Sequence, residues 1–494
     1  MNYFLNENIF TLNSGTEFSA IKRLQLFKKN GQSAQILTRN YNTNSMTDIE
    51  RAGLEPSDVL NMYDYFQEVA NQPEIDVNIR YTSVIDKNLY HIEGLDSNES
   101  LIKHYGRTIA KSATVGLINS IDWYNDNMVV VARDIWDRRG FKSSTQYFHP
   151  DGSQGPQIFF NANGQPKIEL MHMNINGALA STCWKLLGYQ GKVWSFNTEE
   201  DFFAFFASEL AKKESSSFIC DCPSLTGALL KIEGAAGKWQ YLHNIHDTID
   251  YQAALSRIAD KVDGLIVPTR QQREEIQRHY KFKLLLVLPD TYAEKAAESP
   301  PLSQQREQTI VCLGPVASNK CSIDAVDVLA MVHEKLPLVR LSYYGYASPA
   351  DYGQQLEKRV KELGLDGFVD FPKYKSESAL SKILPKAGVL LNISDGEAFG
   401  MSVLKGMSYG TPVIGYKVKY GLPVLITSGQ EGELVPFRNL QAVAAAIVKL
   451  LSQPELQLAY SRAAYERAQA FSAEKAWQKW DSTQQLVNNL FMKV

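Results

Sequence analysis

The stretch GVLLNISDGEAFGMSVLKGMSYG, residues 388–410, indicates the fold class of this 494-residue chain. Its opening run, 388–393, is predominantly apolar and has the length of a buried strand. A turn with Glu397 between Gly396 and Gly400 follows, and the pattern then predicts a helix that begins near Gly400. A strand, a glycine-containing turn and a helix in this order are typical of a doubly wound α/β domain.

The start of this helix is a candidate anion site, because a helix N-terminus presents free backbone N–H groups to a diphosphate. Glu397 would stand beside those phosphates. A second interpretation is that Glu397 only complements the helix dipole. The residues that would supply the N–H groups are Gly400, Met401 and Ser402.

The α/β alternation extends on both sides of this unit. At the start of the chain, a strand at 3–5, a polar loop and an amphipathic helix predict the opening of another doubly wound domain. Gly15 in that loop is either a phosphate-loop glycine or an ordinary turn glycine. After a predicted strand at 309–314, the loop with Gly314 contains Lys320, which either reaches a phosphate or is simply solvated.

Residues 76–195 follow a different pattern, with short alternating runs separated by turn signals at 150–152 and 161–164. Several short strands with a turn about every ten residues predict an antiparallel meander inserted into the first α/β domain. The predicted domains are therefore 1–75 together with 196–300, the insertion 76–195, a second α/β domain 305–472, and a helical tail 473–494.

Composition and charge exclude several classes of protein. Hydrophobic residues make up 44% of the chain, which is enough for several cores and excludes wholesale disorder. The net charge of −3, from 51 basic and 54 acidic residues, argues against nucleic acid as a partner. No apolar run approaches the roughly 20 residues of a spanning helix, and the first residues lack a signal-peptide pattern. We therefore expect a soluble cytoplasmic protein with at most peripheral membrane contact.

Two histidines, His243 and His246, follow a predicted strand and precede Asp247. Such a group could bind a metal ion or act in acid–base chemistry. Because no third and fourth ligands stand nearby in the sequence, we expect no metal site. A histidine that contacts a substrate is the favoured interpretation, and a structural histidine is the alternative.

These segments, in this order, resemble the family 4 glycosyltransferases of GT-B fold. The resemblance is more specific to a bacterial branch with the poly(glycerol/ribitol-phosphate) α-glycosyltransferases of teichoic acid and the O-GlcNAc transferases of serine-rich adhesins. It rests on the loop near Gly15, the inserted segment and the motifs CDCPS (220–224), HNIH (243–246), VDGLIVPT (262–269) and VKYG (418–421). It implies two Rossmann-like domains that face a cleft, a retaining mechanism, a UDP-sugar donor and no metal or other cofactor.

The same resemblance implies roles for single residues. Glu397 would lie near the transferred sugar, Lys320 would neutralise the diphosphate, and His243 or His246 would contact the donor sugar or the acceptor. The other members of the implied donor site are Gly15, Gly314, Gly400, Met401, Ser402 and Lys405.

The chain departs from the family pattern at this implied donor site. The family pairs two glutamates eight residues apart, but Lys405 stands in place of the second, which holds the ribose hydroxyls. We expect the charge of Lys405 to pair with an acidic neighbour instead. Pro315 stands where the family has a phosphate-binding Arg, and proline has no N–H to donate. Two further replacements are Lys373-Tyr374 for a Gly-Tyr pair and Ala398 for the glycine of a Glu-Gly-Phe turn.

Four changes around one site within an intact framework predict the degenerate donor-site subunit of a heteromeric glycosyltransferase. Such a system would modify the bacterial surface, by protein O-glycosylation or by glycosylation of wall teichoic acid. One alternative is an autonomous retaining transferase that moves glucose or N-acetylglucosamine from a UDP-sugar to Ser/Thr or polyol phosphate. Another is a non-catalytic sugar- or polymer-binding module. The expected partners are a second transferase subunit or a second copy of the chain, and a surface-protein or teichoic-acid acceptor.

Two segments outside the α/β domains have predicted roles. The inserted meander is expected to mediate association or acceptor binding, because open sheet edges readily pair with a partner's strands. The helical tail is expected to pack across the first domain through large apolar side chains at helical spacing. These are Trp477, Trp480, Leu486, Leu490 and Phe491.

Overall fold

The computed structural model describes residues 1–73, 84–86, 88–115, 117–244, 249–294, 306–371 and 374–491. The chain divides into two compact units, which we call the first unit (Met1–Asn13 with Gln32–Lys238) and the second unit (Ser14–Gly31 with Trp239–Val494). This division separates the first predicted strand from the first predicted helix. The predicted domain bounds therefore stay a prediction.

The described strands and helices alternate as an α/β chain with one long run of strands between them. The strands are β1 (Asn2–Asn6), β2 (Ala34–Thr38), β3 (Val59–Asn61), β4 (His91–Gly94), β5 (Glu99–His104), β6 (Arg107–Val115), β7 (Leu117–Tyr124), β8 (Val130–Trp136), β9 (Lys142–Phe148), β10 (Gln154–Phe160), β11 (Pro166–Ile175), β12 (Ala178–Tyr189), β13 (Lys192–Phe196), β14 (Ser217–Cys220), β15 (Gly237–Tyr241), β16 (Gly264–Val267), β17 (Leu285–Val287), β18 (Thr309–Leu313), β19 (Arg340–Tyr344), β20 (Val369–Asp370), β21 (Val389–Asn392), β22 (Val413–Tyr416) and β23 (Gly432–Val435). The helices are α1 (Gly15–Lys29), α2 (Ser45–Arg51), α3 (Met62–Phe66), α4 (Glu199–Ala211), α5 (Thr226–Lys231), α6 (Ile249–Ile258), α7 (Arg270–His279), α8 (Ser322–His333), α9 (Ala350–Glu362), α10 (Glu377–Ile383), α11 (Met401–Ser408), α12 (Leu422–Leu425), α13 (Leu440–Ser452), α14 (Pro454–Gln469) and α15 (Ala473–Phe491).

The first unit contains a parallel set of strands in the order β3-β2-β1-β14. Its central strand β1 carries Phe4 and Leu5, and both side chains are fully buried. Consecutive buried residues are expected here, because a parallel sheet is covered on both faces. The strand predicted at residues 3–5 is confirmed.

The second unit contains a parallel sheet with the order β20-β19-β18-β21-β22-β23. The order runs outward from β18 in one direction and from β21 in the other, so the loops after these two strands diverge. In doubly wound sheets, ligands bind at the carboxyl ends of the strands where the order reverses. The loop with Gly314 and the turn with Glu397 follow β18 and β21, and both therefore lie at this point.

Strands β4–β13 form one antiparallel sheet of ten strands in which each strand pairs with its neighbours in sequence. The predicted antiparallel meander is confirmed, with strands from His91 to Phe196, while 74–83 and 87 lie outside the described residues. Two of its predicted turns contain Gly152 and Gly164, with φ of +83° and +76°. This backbone conformation favours glycine.

A buried guanidinium joins the antiparallel sheet to α3 within the first unit. Arg139 lies in the hairpin between β8 and β9, and its side chain is 1% exposed. It donates to Asp137 Oδ1 from Nε at 2.8 Å and to Asp64 Oδ1 from Nη2 at 2.7 Å. Its Nη1 donates to the carbonyl of Val69 at 2.9 Å. The hairpin is thereby tied to α3 and the residues that follow it.

The C-terminal helix α15 packs on α1 inside the second unit. Trp477 and Trp480 meet Phe27 edge-on, with ring centroids 5.5 and 5.3 Å apart. The side chains of Leu486, Leu490 and Phe491 lie outside the described part of the chain. The predicted contact partner of the tail, a domain bounded by 1–75 and 196–300, remains a prediction.

Candidate functional site

The turn with Glu397 ends in a helix N-terminus, as the sequence predicts. Gly400 is the N-cap of α11 and has a φ of +97°, a conformation that side-chain-bearing residues rarely adopt. The backbone N–H groups of Met401 and Ser402 are at the first turn of the helix, where no intrahelical acceptor exists. This end of α11 is therefore suited to an anion.

Lys320 and Glu397 are brought together at the carboxyl ends of β18 and β21. The ammonium of Lys320 donates to Glu397 Oε2 at 3.2 Å, and the amide of Asn392 approaches the same oxygen at 3.5 Å. Both charged side chains are partly exposed, at 30% and 16%. A bound anion would compete with Glu397 for this lysine.

A second helix N-terminus lies close to the first. Gly15 begins α1, and a Cβ built on it would meet the sulfur of Met401 at 3.8 Å. The backbone N–H of Ser14 donates to Glu17 Oε2 at 2.8 Å, which fixes the start of α1. Gly15 thus lies close to the first turn of α11, and Lys320 lies beside Glu397 in the turn before that helix.

The loop after β18 is held against β19. The N–H of Gly314 donates to the carbonyl of Tyr344 at 3.1 Å, and that of Val316 donates to Tyr346 at 2.8 Å. A Cβ on Gly345 would lie 1.8 Å from the Gly314 carbonyl oxygen, so the close approach requires glycine there. Pro315 lies in this loop, and its ring supplies no N–H to a ligand.

His243 is paired with an aspartate that the sequence analysis missed. Its Nδ1 lies 2.8 Å from Asp290 Oδ1, and its ring stacks on Tyr241 with centroids 4.2 Å apart. Burial raises the pKa of Asp290, His243 opposes that shift, and Glu397 adds to it. Asp290 lies three residues after the end of β17, and a carboxylate shortly after a parallel strand is a signal that could have identified it. His246 lies outside the described residues.

Lys405 is engaged by carboxylates. Its ammonium contacts Glu377 of α10, which confirms the expectation that Lys405 pairs with an acidic neighbour. Burial lowers the pKa of Lys405 to about 8, the charge of Glu294 opposes this shift, and that of Lys22 adds to it. Lys22 and Glu294 form a second ion pair. We call these four side chains the charge row.

The remaining departures from the family pattern are Ala398 and the pair Lys373-Tyr374. Ala398 is buried within the turn, and Tyr374 is 38% exposed, while Lys373 lies outside the described residues. In the part of the chain that the structure describes, no group of three or more His, Cys, Asp or Glu is arranged to hold a metal ion.

A further acidic residue, Glu275, was also missed. It lies in α7, and its carboxylate accepts hydrogen bonds from Lys419 Nζ at 2.8 Å and from Tyr420 Oη at 3.0 Å. Both donors belong to the segment that pairs with the backbone of Glu397. No sequence signal identifies this contact, because Glu275 is one of many charged residues on an amphipathic helix.

The chain is similar to known glycosyltransferases in sequence and structure. Residues 293–467 match the family Glycosyl transferases group 1. The poly(ribitol-phosphate) alpha-N-acetylglucosaminyltransferase of Staphylococcus aureus strain COL is 21% identical, over 85% of each chain. The GtfA subunit of the UDP-N-acetylglucosamine–peptide N-acetylglucosaminyltransferase of Streptococcus pneumoniae is 24% identical, over 97% of this chain and 98% of that protein.

Solved structures extend the similarity to the whole fold. The pneumococcal O-GlcNAc transferase GtfA, in complex with UDP and GlcNAc, superposes with a TM-score of 0.84 at 20% identity and covers 98% of both chains. The GtfA/B complex gives a TM-score of 0.76 at 18% identity and covers 99% of this chain and 100% of that chain. Across the described residues, no helix is both long enough and apolar enough to cross a membrane. The chain has the GT-B fold, and its residues 293–467 match the glycosyl transferases group 1 family.

Proposed function

We propose that this chain is the subunit with a degenerate donor site in a heteromeric glycosyltransferase of a bacterial surface-glycosylation system. The observation that carries the proposal is the charge row around Lys405. By family resemblance, position 405 belongs to a carboxylate that accepts hydrogen bonds from the ribose hydroxyls. Here it is a cation that contacts Glu377, beside a second ion pair between Lys22 and Glu294.

The side chain at position 405 has the opposite charge and the opposite hydrogen-bonding role to the carboxylate of a ribose site. An ammonium has three donors and no acceptor, so it cannot accept the hydrogen bonds of two hydroxyl groups. Loss of a hydrogen bond to a charged group costs about 1.5–3 kcal/mol. Pro315 adds a second loss, because it replaces the bidentate phosphate contact that an arginine would make. Together these changes predict weak binding of UDP-sugars, or none.

The relatives support a role in surface glycosylation. Their names describe transfer to poly(ribitol-phosphate) and to peptide, and one of them is named as a subunit. A solved structure with the same fold is a complex of two such proteins. We therefore propose a second transferase subunit as partner, a cytoplasmic location, and a surface-protein or teichoic-acid acceptor.

An autonomous UDP-sugar transferase is the second candidate. The contact between Lys320 and Glu397 favours it, because these two residues would serve the diphosphate and the transferred sugar. The neighbouring GtfA structure contains UDP and GlcNAc. In this case Lys320 would neutralise the leaving diphosphate, and Glu397 would stabilise the charge that develops at the sugar carbon.

Co-expression separates the two candidates. The chain is purified alone and after co-expression with a transferase from the same genome. That transferase is chosen because it has both glutamates of the family pattern, eight residues apart. The proposal predicts no transfer or hydrolysis of UDP-glucose or UDP-GlcNAc by the chain alone, and a stable complex that transfers sugar. Turnover by the isolated chain at ordinary rates, abolished by Glu397→Gln, would establish the autonomous enzyme instead.

A further inference from the structure

The segment 418–421 is in direct backbone contact with the turn that carries Glu397. The N–H of Glu397 donates to the carbonyl of Lys419 at 3.1 Å. In the other direction, the N–H groups of Tyr420 and Gly421 both donate to the carbonyl of Glu397 at 2.8 Å. A Cβ on Gly421 would lie 2.1 Å from the carbonyl oxygen of Phe399, so only glycine fits there. The position of Glu397 therefore depends on the position of this segment.

Glu275 holds the same segment through side chains. One carboxylate oxygen accepts from Lys419 Nζ at 2.8 Å, and the other accepts from Tyr420 Oη at 3.0 Å. Tyr420 is fully buried, and the side chain of Glu275 is 25% exposed. Charge-assisted hydrogen bonds of this length are among the stronger polar contacts in proteins. Two adjacent residues of the segment are thus fixed by a single carboxylate.

The contact joins two parts of the chain that are far apart in sequence. Glu275 lies in α7, before the group 1 domain at 293–467, whereas Glu397 and its segment lie within that domain. A displacement of α7 would move Lys419 and Tyr420, and through their backbone it would move the turn. Glu275 itself lies outside the donor-site residues that the family resemblance implies.

We propose that Glu275 is a positioning residue that sets the geometry of the Glu397 turn from α7. Its carboxylate fixes Lys419 and Tyr420, and their backbone groups fix Glu397. The inference concerns the geometry of the turn, and it does not depend on whether the chain binds or turns over a UDP-sugar.

Hydrogen–deuterium exchange of the full chain tests this role. The variants are Glu275→Ala, Glu275→Gln and the control Glu274→Ala, which alters the exposed neighbour on the same helix. In Glu275→Ala, we expect the amides of the segments 397–404 and 416–424 to exchange about tenfold faster, the factor for loss of one hydrogen bond to a charged group. Glu275→Gln should give a smaller increase, because its amide oxygen still accepts from Tyr420.

Hydrogen–deuterium exchange in α13 distinguishes a positioning role of Glu275 from general destabilisation of the fold. Amides of α13 (Leu440–Ser452) should exchange as in the wild type in all three variants. Equal acceleration in α13, unchanged exchange in both segments of Glu275→Ala, or the same acceleration in Glu274→Ala would each overturn the proposal. Should Glu275→Ala fail to fold, Tyr420→Phe removes one of the two contacts and must accelerate the same two segments alone.

Discussion

If the charge row around Lys405 prevents UDP binding, three substitutions should restore it. Lys405→Glu returns the ribose carboxylate, and Pro315→Arg returns a phosphate contact. The structure shows why these two changes are insufficient. Glu377 contacts the group at position 405, and Glu294 acts on it electrostatically, so a glutamate there would face two carboxylates. Glu377→Gln is therefore the necessary third change.

The interaction energies at position 405 predict different UDP affinities for the double variant, Lys405→Glu with Pro315→Arg, and the triple variant, which adds Glu377→Gln. Two like charges about 4 Å apart near a protein surface repel by up to about 4 kcal/mol. Glu377 is 54% exposed, so solvent screening reduces this term to about 1 kcal/mol. That is close to the 1.4 kcal/mol, or tenfold in affinity, that one good charge-assisted bond contributes. We expect the new carboxylate of the double variant, Lys405→Glu with Pro315→Arg, to add little to the affinity for UDP, and the triple variant to bind UDP at least about tenfold more tightly than the wild type.

Isothermal titration calorimetry with UDP measures both affinities. The matched control replaces Lys405→Glu by Lys382→Glu in the triple variant, because Lys382 is an exposed lysine of α10. This control keeps Pro315→Arg but lacks the ribose carboxylate, so it should bind UDP less tightly than the triple variant. The reasoning is refuted if the triple variant, folded and monodisperse, binds no more tightly than the wild type, or if Lys382→Glu gives the same gain.

Four further outcomes are expected. Arg139→Ala should lower the free energy of unfolding by about 3–5 kcal/mol in urea titrations, because it leaves buried carboxylates without their cation; a loss below about 1 kcal/mol would contradict a structural role. Trp480→Ala should lower the melting temperature by several degrees, because a nearly fully buried ring is removed from the contact with α1, and an unchanged melting curve would count against that contact. Lys405→Met should raise the melting temperature at pH 7, because burial disfavours the charged form of Lys405 and lowers its pKa to about 8. The free-energy cost of burying the ammonium is present below pH 8 and disappears as the pH rises towards 10.5, the pKa in the unfolded chain. The increase in melting temperature should therefore be smaller at pH 10. Deletion of 76–195 should leave folded α/β elements but abolish self-association or acceptor capture, and a truncated protein that assembles and binds acceptor normally would refute this role for the meander.

Local patterns in the sequence were sufficient for most of the fold. Short continuous apolar runs located the strands around Phe4 and Leu390, because parallel strands are buried on both faces. The glycines at 152, 164 and 400 marked turns correctly, since each has a positive φ in the structure. The start of α11 followed from the same rule.

The polar contacts of the candidate site were harder to predict from the sequence. Lys320 and Glu397 were identified because each follows a strand of one sheet. Asp290 and Glu275 were missed, since the first pairs with a residue 47 positions away and the second with residues 144 and 145 positions away. Such pairs depend on tertiary packing, which periodicity and turn signals do not encode.

The affinity of the wild-type chain for nucleotide shows whether its donor site is degenerate. Calorimetric titration of the purified, full-length chain with UDP, UDP-glucose and UDP-GlcNAc requires no mutation and no partner. A degenerate donor site predicts no measurable heat of binding, or dissociation constants of about 1 mM or higher, which correspond to at most about 4 kcal/mol of binding free energy. Micromolar binding of any of the three compounds would contradict it, because the ribose and diphosphate would then be held despite Lys405 and Pro315.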